Sequence, residues 1–124
     1  MPVPNHLQTV VPYLILKDAN AFIKFTQELF HAETTALHFR DEAQHIVMHA
    51  ELKIGNASLM CADATDEWTT QTAGLFIYVE NADATFHKAL QSGCSVVLEL
   101  CDQAYGRTCG IQDAFGNTWW ITSV

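Results

Sequence analysis

Residues 14–21, LILKDANA, recur 63 positions later as IYVENADA over residues 77–84. In both copies an apolar run leads into Asp18 or Asn81, and these residue types cap the N-terminus of a helix. Apolar residues then follow at helical spacing in each copy. The recurrence therefore predicts a strand followed by a helix, twice in one chain.

A second recurrence lies later in each half of the chain. Residues 54–60, IGNASLM, match residues 115–121, FGNTWWI, at a spacing of 61 positions. Glycine supplies the positive φ of a tight turn, so Gly-Asn between apolar runs predicts a β-hairpin. The two spacings are nearly equal, which indicates a duplicated module.

The duplicated module is a strand, a helix and three more strands. The predicted fold class is α+β, with two βαβββ modules at about 8–63 and 74–123 joined by the polar loop 64–73, in a single domain over residues 1–124. The first module is predicted to have strands at 8–17, 33–39, 44–54 and 57–63 and a helix at 19–31. The second is predicted to have strands at 74–80, 95–100, 106–112 and 117–123 and a helix at 82–92.

The composition predicts a folded chain with a substantial core. Of the 124 residues, 49% are hydrophobic and 16% are charged, which is too apolar for a disordered chain. Acidic residues outnumber basic residues 14 to 6, and the net charge of −8 repels a nucleic-acid backbone. No apolar run reaches the roughly 20 residues that span a bilayer. We therefore expect no nucleic acid and no membrane as partners.

The N-terminus and the cysteines bear on location. The first residues, MPVPNH, lack the basic segment and apolar stretch of a secretory signal, so a cytoplasmic location is expected. The four cysteines include no Cys-x-x-Cys pair and do not resemble a disulfide framework. We expect them to be reduced.

Several segments, in order, carry a family resemblance. They are VPYL at 11–14 with Asp18, MHAELKIGN at 48–56, YVENADA at 78–84, DQAYGR at 102–107 and DAFGNTW at 113–119. The series resembles the PhnB-like branch of the vicinal-oxygen-chelate superfamily of glyoxalases, bleomycin-resistance proteins and extradiol dioxygenases. The resemblance implies curved mixed sheets with helices on the convex side, a cleft enclosed by two modules, and a homodimer. Asn117 departs from the branch, which commonly has a histidine there.

The resemblance also implies where a metal would bind. Metal-dependent members place His or Glu ligands on the first and last strands of each module. The matching positions here are Val11, Leu59, Gly74 and Trp120. None of these side chains chelates a divalent ion, so no metal and no cofactor are expected. His45, His49 and Glu51 are ligand types, but a single strand gathers ligands poorly around a tetrahedral ion.

Alternation along residues 45–54 predicts which side chains face the cleft. It places His45, His49 and Glu51 on the face opposite the helix, while Met48, Ala50 and Leu52 face the helix. The same parity on the other strands, and the position of 105–107 implied by the resemblance, complete a set of candidate ligand-binding residues. They are Tyr13, His45, His49, Glu51, Leu59, Phe76, Tyr78, Tyr105, Arg107 and Trp120.

These residues leave the charge of a ligand open. An aromatic lining in an acidic chain favours a flat apolar molecule, with a positive charge as one alternative. Arg107 favours a carboxylate or phosphate instead.

Three functional hypotheses follow. The predicted function is a metal-free protein, similar to bleomycin-resistance proteins, whose cleft binds a small organic molecule. The alternative is a lyase, isomerase or dioxygenase with His49 and Glu51 as candidate catalytic residues. The third is an interaction module whose cleft is filled by its own aromatic side chains. Trp68, in the polar loop, is a lid residue, a dimer contact or simply exposed, and the sequence does not rank these.

Overall fold

The computed structural model describes residues 2–124 and confirms the α+β fold with two βαβββ modules. The chain divides into two compact units, one ending at Gln71 and the other covering Thr72–Val124. Each unit has its own four-stranded mixed sheet and its own helix. That the units together form a single domain stays a prediction.

The first unit follows the order strand, helix and three strands. Its elements are β1 (Tyr13–Leu16), α1 (Ala19–Phe30), β2 (Glu33–Phe39), β3 (Val47–Ile54) and β4 (Ala57–Asp63). The sheet order is β1-β4-β3-β2, with β1 parallel to β4 and the other neighbours antiparallel.

The second unit repeats this topology. Its elements are β5 (Gly74–Tyr78), α2 (Ala82–Gln91), β6 (Ser95–Gln103), β7 (Gly106–Gln112) and β8 (Thr118–Ser123). The sheet order is β5-β8-β7-β6, again with one parallel pair between the first and last strands. Most predicted boundaries lie within a few residues of these. The exceptions are β1, which begins at Tyr13 rather than residue 8, β3, which begins at Val47 rather than residue 44, and β6, which ends at Gln103 rather than residue 100.

Both helices begin at the predicted caps. The Asp18 carboxylate accepts a hydrogen bond from Ala21 N at 3.1 Å, and the Asn81 side-chain oxygen accepts one from Ala84 N at 3.0 Å. These contacts satisfy amides that a helix leaves unpaired at its first turn.

A side chain from the last strand of each module also holds the start of its helix. Asp63 Oδ1 accepts from Ala19 N at 2.9 Å, while Oδ2 accepts from Val47 N at 2.6 Å. Ser123 Oγ accepts from Ala82 N at 3.1 Å in the second unit. Asp63 therefore joins the end of β4 to the starts of α1 and β3. Ser123 joins the end of β8 to the start of α2 only.

The core of the first unit lies between α1 and one face of its sheet. Phe22 is fully buried from the helix, and Leu14, Leu16 and Leu52 are fully buried from the strands. Burying one such side chain stabilises the fold by about 1.5–3 kcal/mol. In the second unit, Trp119, Ile111 and Ile121 occupy the corresponding space, with Phe86 from α2.

The strand register corrects the second sequence spacing. Tyr13 pairs with Met60, and Phe76, the counterpart of Tyr13 at the spacing of 63, pairs with Trp120. Met60 is therefore the counterpart of Trp120, at a spacing of 60 rather than 61. Because side chains alternate along a strand, this one-residue difference reverses the face. Leu59 was predicted to face the cleft, but it is buried in the core beside Leu52.

Three of the four cysteines are buried, and none forms a disulfide. Cys61, Cys94 and Cys109 are buried, and Cys101 is half-exposed. Burial raises the pKa of Cys61 to about 12 and the pKa values of Cys94 and Cys109 to about 11. Within residues 2–124 no helix is long and apolar enough to cross a bilayer.

Candidate functional site

The open face of the first sheet, the face opposite α1, carries a row of three side chains on three neighbouring strands. Glu51 on β3 pairs with Met60 on β4, and Met60 pairs with Tyr13 on β1. His49 lies two residues before Glu51 on β3. The alternation of β3 thus brings two predicted site residues, His49 and Glu51, to the same face as Tyr13.

These polar side chains form a continuous hydrogen-bonded line. Tyr13 Oη lies 3.1 Å from His49 Nδ1, and His49 Nε2 lies 2.9 Å from Glu51 Oε2. The second Glu51 oxygen lies 3.0 Å from His6 Nε2. An ionised carboxylate only accepts, so Nε2 of a neutral His49 carries the hydrogen and Nδ1 accepts from the Tyr13 hydroxyl. We call Tyr13, His49, Glu51 and His6 the polar line.

The environment shifts the pKa values of two members of the polar line, Glu51 and Tyr13. The hydrogen bond from His49 is the largest cause that holds the pKa of Glu51 below its usual value, and His6 adds to it. Burial raises the pKa of Tyr13 above its usual value. The line therefore joins an ionised carboxylate to a neutral phenol through one imidazole, which is an arrangement suited to proton transfer.

A cavity of about 260 Å³ lies beside this line in the first unit. Its lining residues are Tyr13, Ile15, Arg40, Met48, Ala62, Asp63 and Trp68. Tyr13 and Trp68 contribute aromatic rings, and Ile15, Met48 and Ala62 contribute aliphatic surface. We call this space the β1 cavity.

The predicted polar loop forms part of the β1 cavity. Ile15 and Gln71 exchange backbone hydrogen bonds of 3.0 and 2.9 Å, so the end of the loop pairs with the edge of β1. Thr65 and Trp68 also bond each other, through Thr65 N to Trp68 O at 2.8 Å and Trp68 N to Thr65 Oγ1 at 2.9 Å. Trp68 lines the cavity, and about half of its surface is exposed.

A β-bulge at the start of β3 changes the predicted alternation. The register between β2 and β3 shifts between His38 and Phe39, so Met48 is an extra residue on β3. Met48 therefore lines the β1 cavity rather than the core, and Val47 is fully buried instead. His45 was predicted on the cleft face of this strand. It lies in the loop before β3, where its carbonyl oxygen accepts from Asn20 Nδ2 at 3.3 Å.

The predicted aromatic residues of the second unit lie on the open face of its own sheet. Phe76 and Tyr78 have ring centroids 5.3 Å apart, and Phe76 and Tyr105 have centroids 6.2 Å apart. All three side chains are exposed. The Trp120 ring covers Gly110, because a methyl group at Gly110 would lie 2.5 Å from Trp120 Cζ3.

Arg107 does not lie on that open face. It pairs with Ser123, whose side chain faces α2, and its guanidinium binds Asp83 through Nε to Oδ1 at 2.9 Å and Nη2 to Oδ2 at 3.2 Å. Asp83 raises the pKa of Arg107, and Arg107 lowers the pKa of Asp83. Arg107 therefore does not lie on the face where it was predicted, because its guanidinium forms a bidentate ion pair with Asp83, and its contact with a ligand stays a prediction.

The family's metal positions do not fit a metal in this chain. The side chains of Val11, Gly74 and Trp120 have no atom that can coordinate a divalent ion. At the fourth position the strand register places Met60 rather than Leu59, and its thioether suits soft ions only. Across residues 2–124 no group of three or more His, Cys, Asp or Glu side chains is arranged to hold a metal ion. The absence of a metal stays a prediction.

Several residues of this site, among them Ala62 on the cavity wall, were not predicted from the sequence. Arg40 and Met48 line the β1 cavity, and His6 bonds Glu51. Arg40 and His6 lie outside the repeated segments, so no periodicity pointed to them. Met48 was predicted on the opposite face because the alternation of polar and apolar residues in the sequence does not reveal a β-bulge.

Comparison with known proteins agrees with this architecture. A model of the Glyoxalase/Bleomycin resistance protein/Dioxygenase superfamily matches residues 4–121. The chain belongs to this superfamily.

Solved structures share the fold of this superfamily member at low sequence identity. A PhnB protein from Bacillus cereus is 21% identical with a TM-score of 0.73, covering 94% of this chain and 100% of that one. The fosfomycin resistance protein FosX from Listeria monocytogenes is 14% identical with a TM-score of 0.73, covering 93% and 91%. The bleomycin-binding protein from Streptomyces verticillus, solved with copper(II)-bleomycin, is 19% identical with a TM-score of 0.58, covering 95% and 97%. These likenesses show the fold.

Proposed function

We propose that this superfamily member is a metal-free binding protein for a small apolar-aromatic organic molecule, and that the ligand occupies the β1 cavity. The observation that carries the proposal is the cavity itself, which has two aromatic and three aliphatic lining residues. Apolar walls with a few polar groups are typical of small-molecule sites. The name of the bleomycin-binding relative supports binding as a function of this fold.

The cavity volume limits the size of the ligand. A protein cavity of about 150 Å³ holds benzene. The volume of about 260 Å³ therefore suits one or two fused rings with a short substituent. A larger molecule would extend past Trp68, which is exposed at the edge of the cavity.

A substitution that fills the cavity tests the proposal. Met48 and Ile46 are equally exposed, at 44% each, but only Met48 lines the cavity. A thermal-shift screen of mono- and bicyclic compounds would first identify ligands of the wild-type protein. We expect Met48→Trp to abolish their binding and Ile46→Trp to retain it. Equal binding by both variants would contradict the proposed location.

Metal independence has its own measurement. Elemental analysis of protein purified without chelator should find no stoichiometric divalent ion, and chelator should leave ligand binding unchanged. A metal near one per chain, lost together with binding on chelation, would contradict a metal-free site.

The polar line favours a second candidate function, an enzyme of the lyase, isomerase or dioxygenase type with an acid–base step at His49. The 2.9 Å contact to Glu51 orients the imidazole, and the 3.1 Å contact joins it to Tyr13 at the cavity wall. We expect His49→Ala and Glu51→Gln to bind an identified ligand yet fail to convert it, with His87→Ala on α2 as control. Conversion at an unchanged rate by His49→Ala would exclude this function.

A homodimer in the cytoplasm completes the proposal. The exposed Phe76, Tyr78 and Tyr105 form a contiguous aromatic group of the kind that marks interaction surfaces. Light scattering after size-exclusion chromatography should give twice the chain mass, and Tyr78→Glu should lower it. A monomeric mass across a wide concentration range would contradict the dimer.

A further inference from the structure

We infer that the β1 cavity selects an organic carboxylate, whose charge is bound by Arg40 while its apolar body lies against Tyr13 and Trp68. This inference rests on the proposed binding function and specifies its ligand class. It opposes the alternative of a cationic ligand, which followed from the net charge of −8. Net charge acts on the approach of a ligand, whereas the groups that line the cavity act at contact.

Arg40 is a cation without an anionic partner. The chain has two arginines, and Arg107 is held by Asp83 in a bidentate pair. Among residues 2–124 no carboxylate lies within ion-pair distance of Arg40. The carboxylate of the neighbouring Asp41 accepts from Ile46 N at 2.9 Å and His45 N at 3.1 Å instead. Arg40 therefore keeps its five donors for another group.

Asp63, the one carboxylate on the cavity wall, does not offset this charge. Its two oxygens accept from Ala19 N at 2.9 Å and Val47 N at 2.6 Å, and the residue is 8% exposed. One of these amides belongs to the N-terminus of α1, where the helix dipole favours a negative charge. The carboxylate is already compensated by the fold, so it neither pairs with Arg40 nor attracts a cationic ligand.

The same arrangement favours a carboxylate over a phosphate. Phosphate groups commonly use the free amides of a helix N-terminus. Here Asp63 accepts from Ala19 N and Asp18 accepts from Ala21 N, so two carboxylates already lie at that end of the helix and disfavour a further anion. One planar guanidinium matches a singly charged carboxylate in a fork-to-fork contact. A ring of the size that the cavity accepts, bearing one carboxylate, satisfies both its walls and its charge.

A set of three probes of nearly equal shape tests the inference. Calorimetry would compare the binding of 2-naphthoate, the neutral 2-naphthamide and cationic 2-naphthylmethylamine. We expect naphthoate to bind about tenfold more tightly than naphthamide, as for a charge-assisted hydrogen bond, and the amine to bind most weakly. Arg40→Gln should remove the difference. Lys24→Gln, which makes the same charge change on the exposed face of α1, should retain it.

The outcomes separate the inference from the function on which it rests. If naphthamide binds as tightly as naphthoate, and Met48→Trp abolishes both, the cavity binds ligands but does not select an anion, and the inference is overturned. If naphthoate binds equally to wild type and Arg40→Gln, Arg40 is not its partner, which also overturns it. If none of the probes binds the wild-type protein, the proposed cavity function is overturned together with the inference.

Discussion

The phenol oxygen of Tyr13 lies 3.1 Å from Nδ1 of His49, across the strand β4 that separates them in the sheet. This contact joins the wall of the β1 cavity to the Glu51 carboxylate through one imidazole ring. A molecule bound at Tyr13 would therefore be connected to the Glu51 carboxylate through two hydrogen bonds, both made by His49. Binding and proton transfer would use the same side chains.

The lowered pKa of Glu51 predicts a pH-dependent contribution to stability. Because its folded-state pKa lies below its unfolded value, the stabilisation is present above the unfolded pKa and is lost as pH falls through the folded pKa. Glu51→Gln should therefore lower the free energy of unfolding at pH 7 and have a smaller effect near pH 3, measured by urea titration. Glu99→Gln, at an exposed site on β6, serves as control. An equal effect of Glu51→Gln at both pH values would contradict the assignment.

The contacts of Asp63 and Ser123 with the helix starts predict that substitution of Asp63 lowers the free energy of unfolding more than substitution of Ser123. Asp63→Asn leaves Val47 N or Ala19 N facing an amide group instead of an oxygen, at a cost of about 2–3 kcal/mol. Ser123→Ala removes a single cap bond to Ala82 N, at a cost of about 1 kcal/mol. Urea unfolding of both variants checks the order. A larger loss for Ser123→Ala would show that Asp63 does not hold α1 and β3 as described.

The Trp120 ring lies so close to Gly110 that any side chain at position 110 would clash with it. In Gly110→Ala the new methyl group lies 2.5 Å from Cζ3 of Trp120, so the ring must move, at a cost of about 1–3 kcal/mol. Gly74→Ala on β5 is the control, because no atom lies within 4 Å of its added carbon. Near-ultraviolet circular dichroism should change in Gly110→Ala alone. Gly110→Ala with unchanged stability and spectrum would contradict the close contact.

The cysteines predict selective thiol reactivity. Burial keeps Cys61, Cys94 and Cys109 protonated at pH 8, since it raises their pKa values to about 12, 11 and 11, while Cys101 is half-exposed on β6. Ellman's reagent should modify one thiol per native chain rapidly and all four in urea. Cys101→Ser should remove the rapid phase. Rapid modification of two or more thiols in the folded protein would contradict the burial of the other three.

The elements were predictable because they follow from local chemistry. Period-2 and period-3.6 patterns, together with the caps Asp18 and Asn81, determine where strands and helices begin. The pairing of His49 with Glu51 was also accessible, since residues two apart on a strand share a face.

The remaining site residues depend on register and on distant partners. A hairpin match at a spacing of 61 made Leu59 the counterpart of Trp120, whereas the pairing of β4 with β1 gives a spacing of 60, and a shift of one residue reverses the face. The bulge at Met48 has the same effect on β3. Arg107 lies 24 residues from Asp83, and no local pattern shows that the two side chains meet.

The row of Glu51, Met60 and Tyr13 in the first sheet has a counterpart in the second, formed by Gly110, Trp120 and Phe76. The backbone pairing is the same in both rows, but the polar side chains are present in one alone. A duplicated scaffold can thus keep its architecture in both copies while its chemistry diverges. Gly110→Glu and Phe76→Tyr would place a carboxylate and a phenol at the corresponding positions of the second sheet, and Trp120→Met would remove the ring that covers position 110.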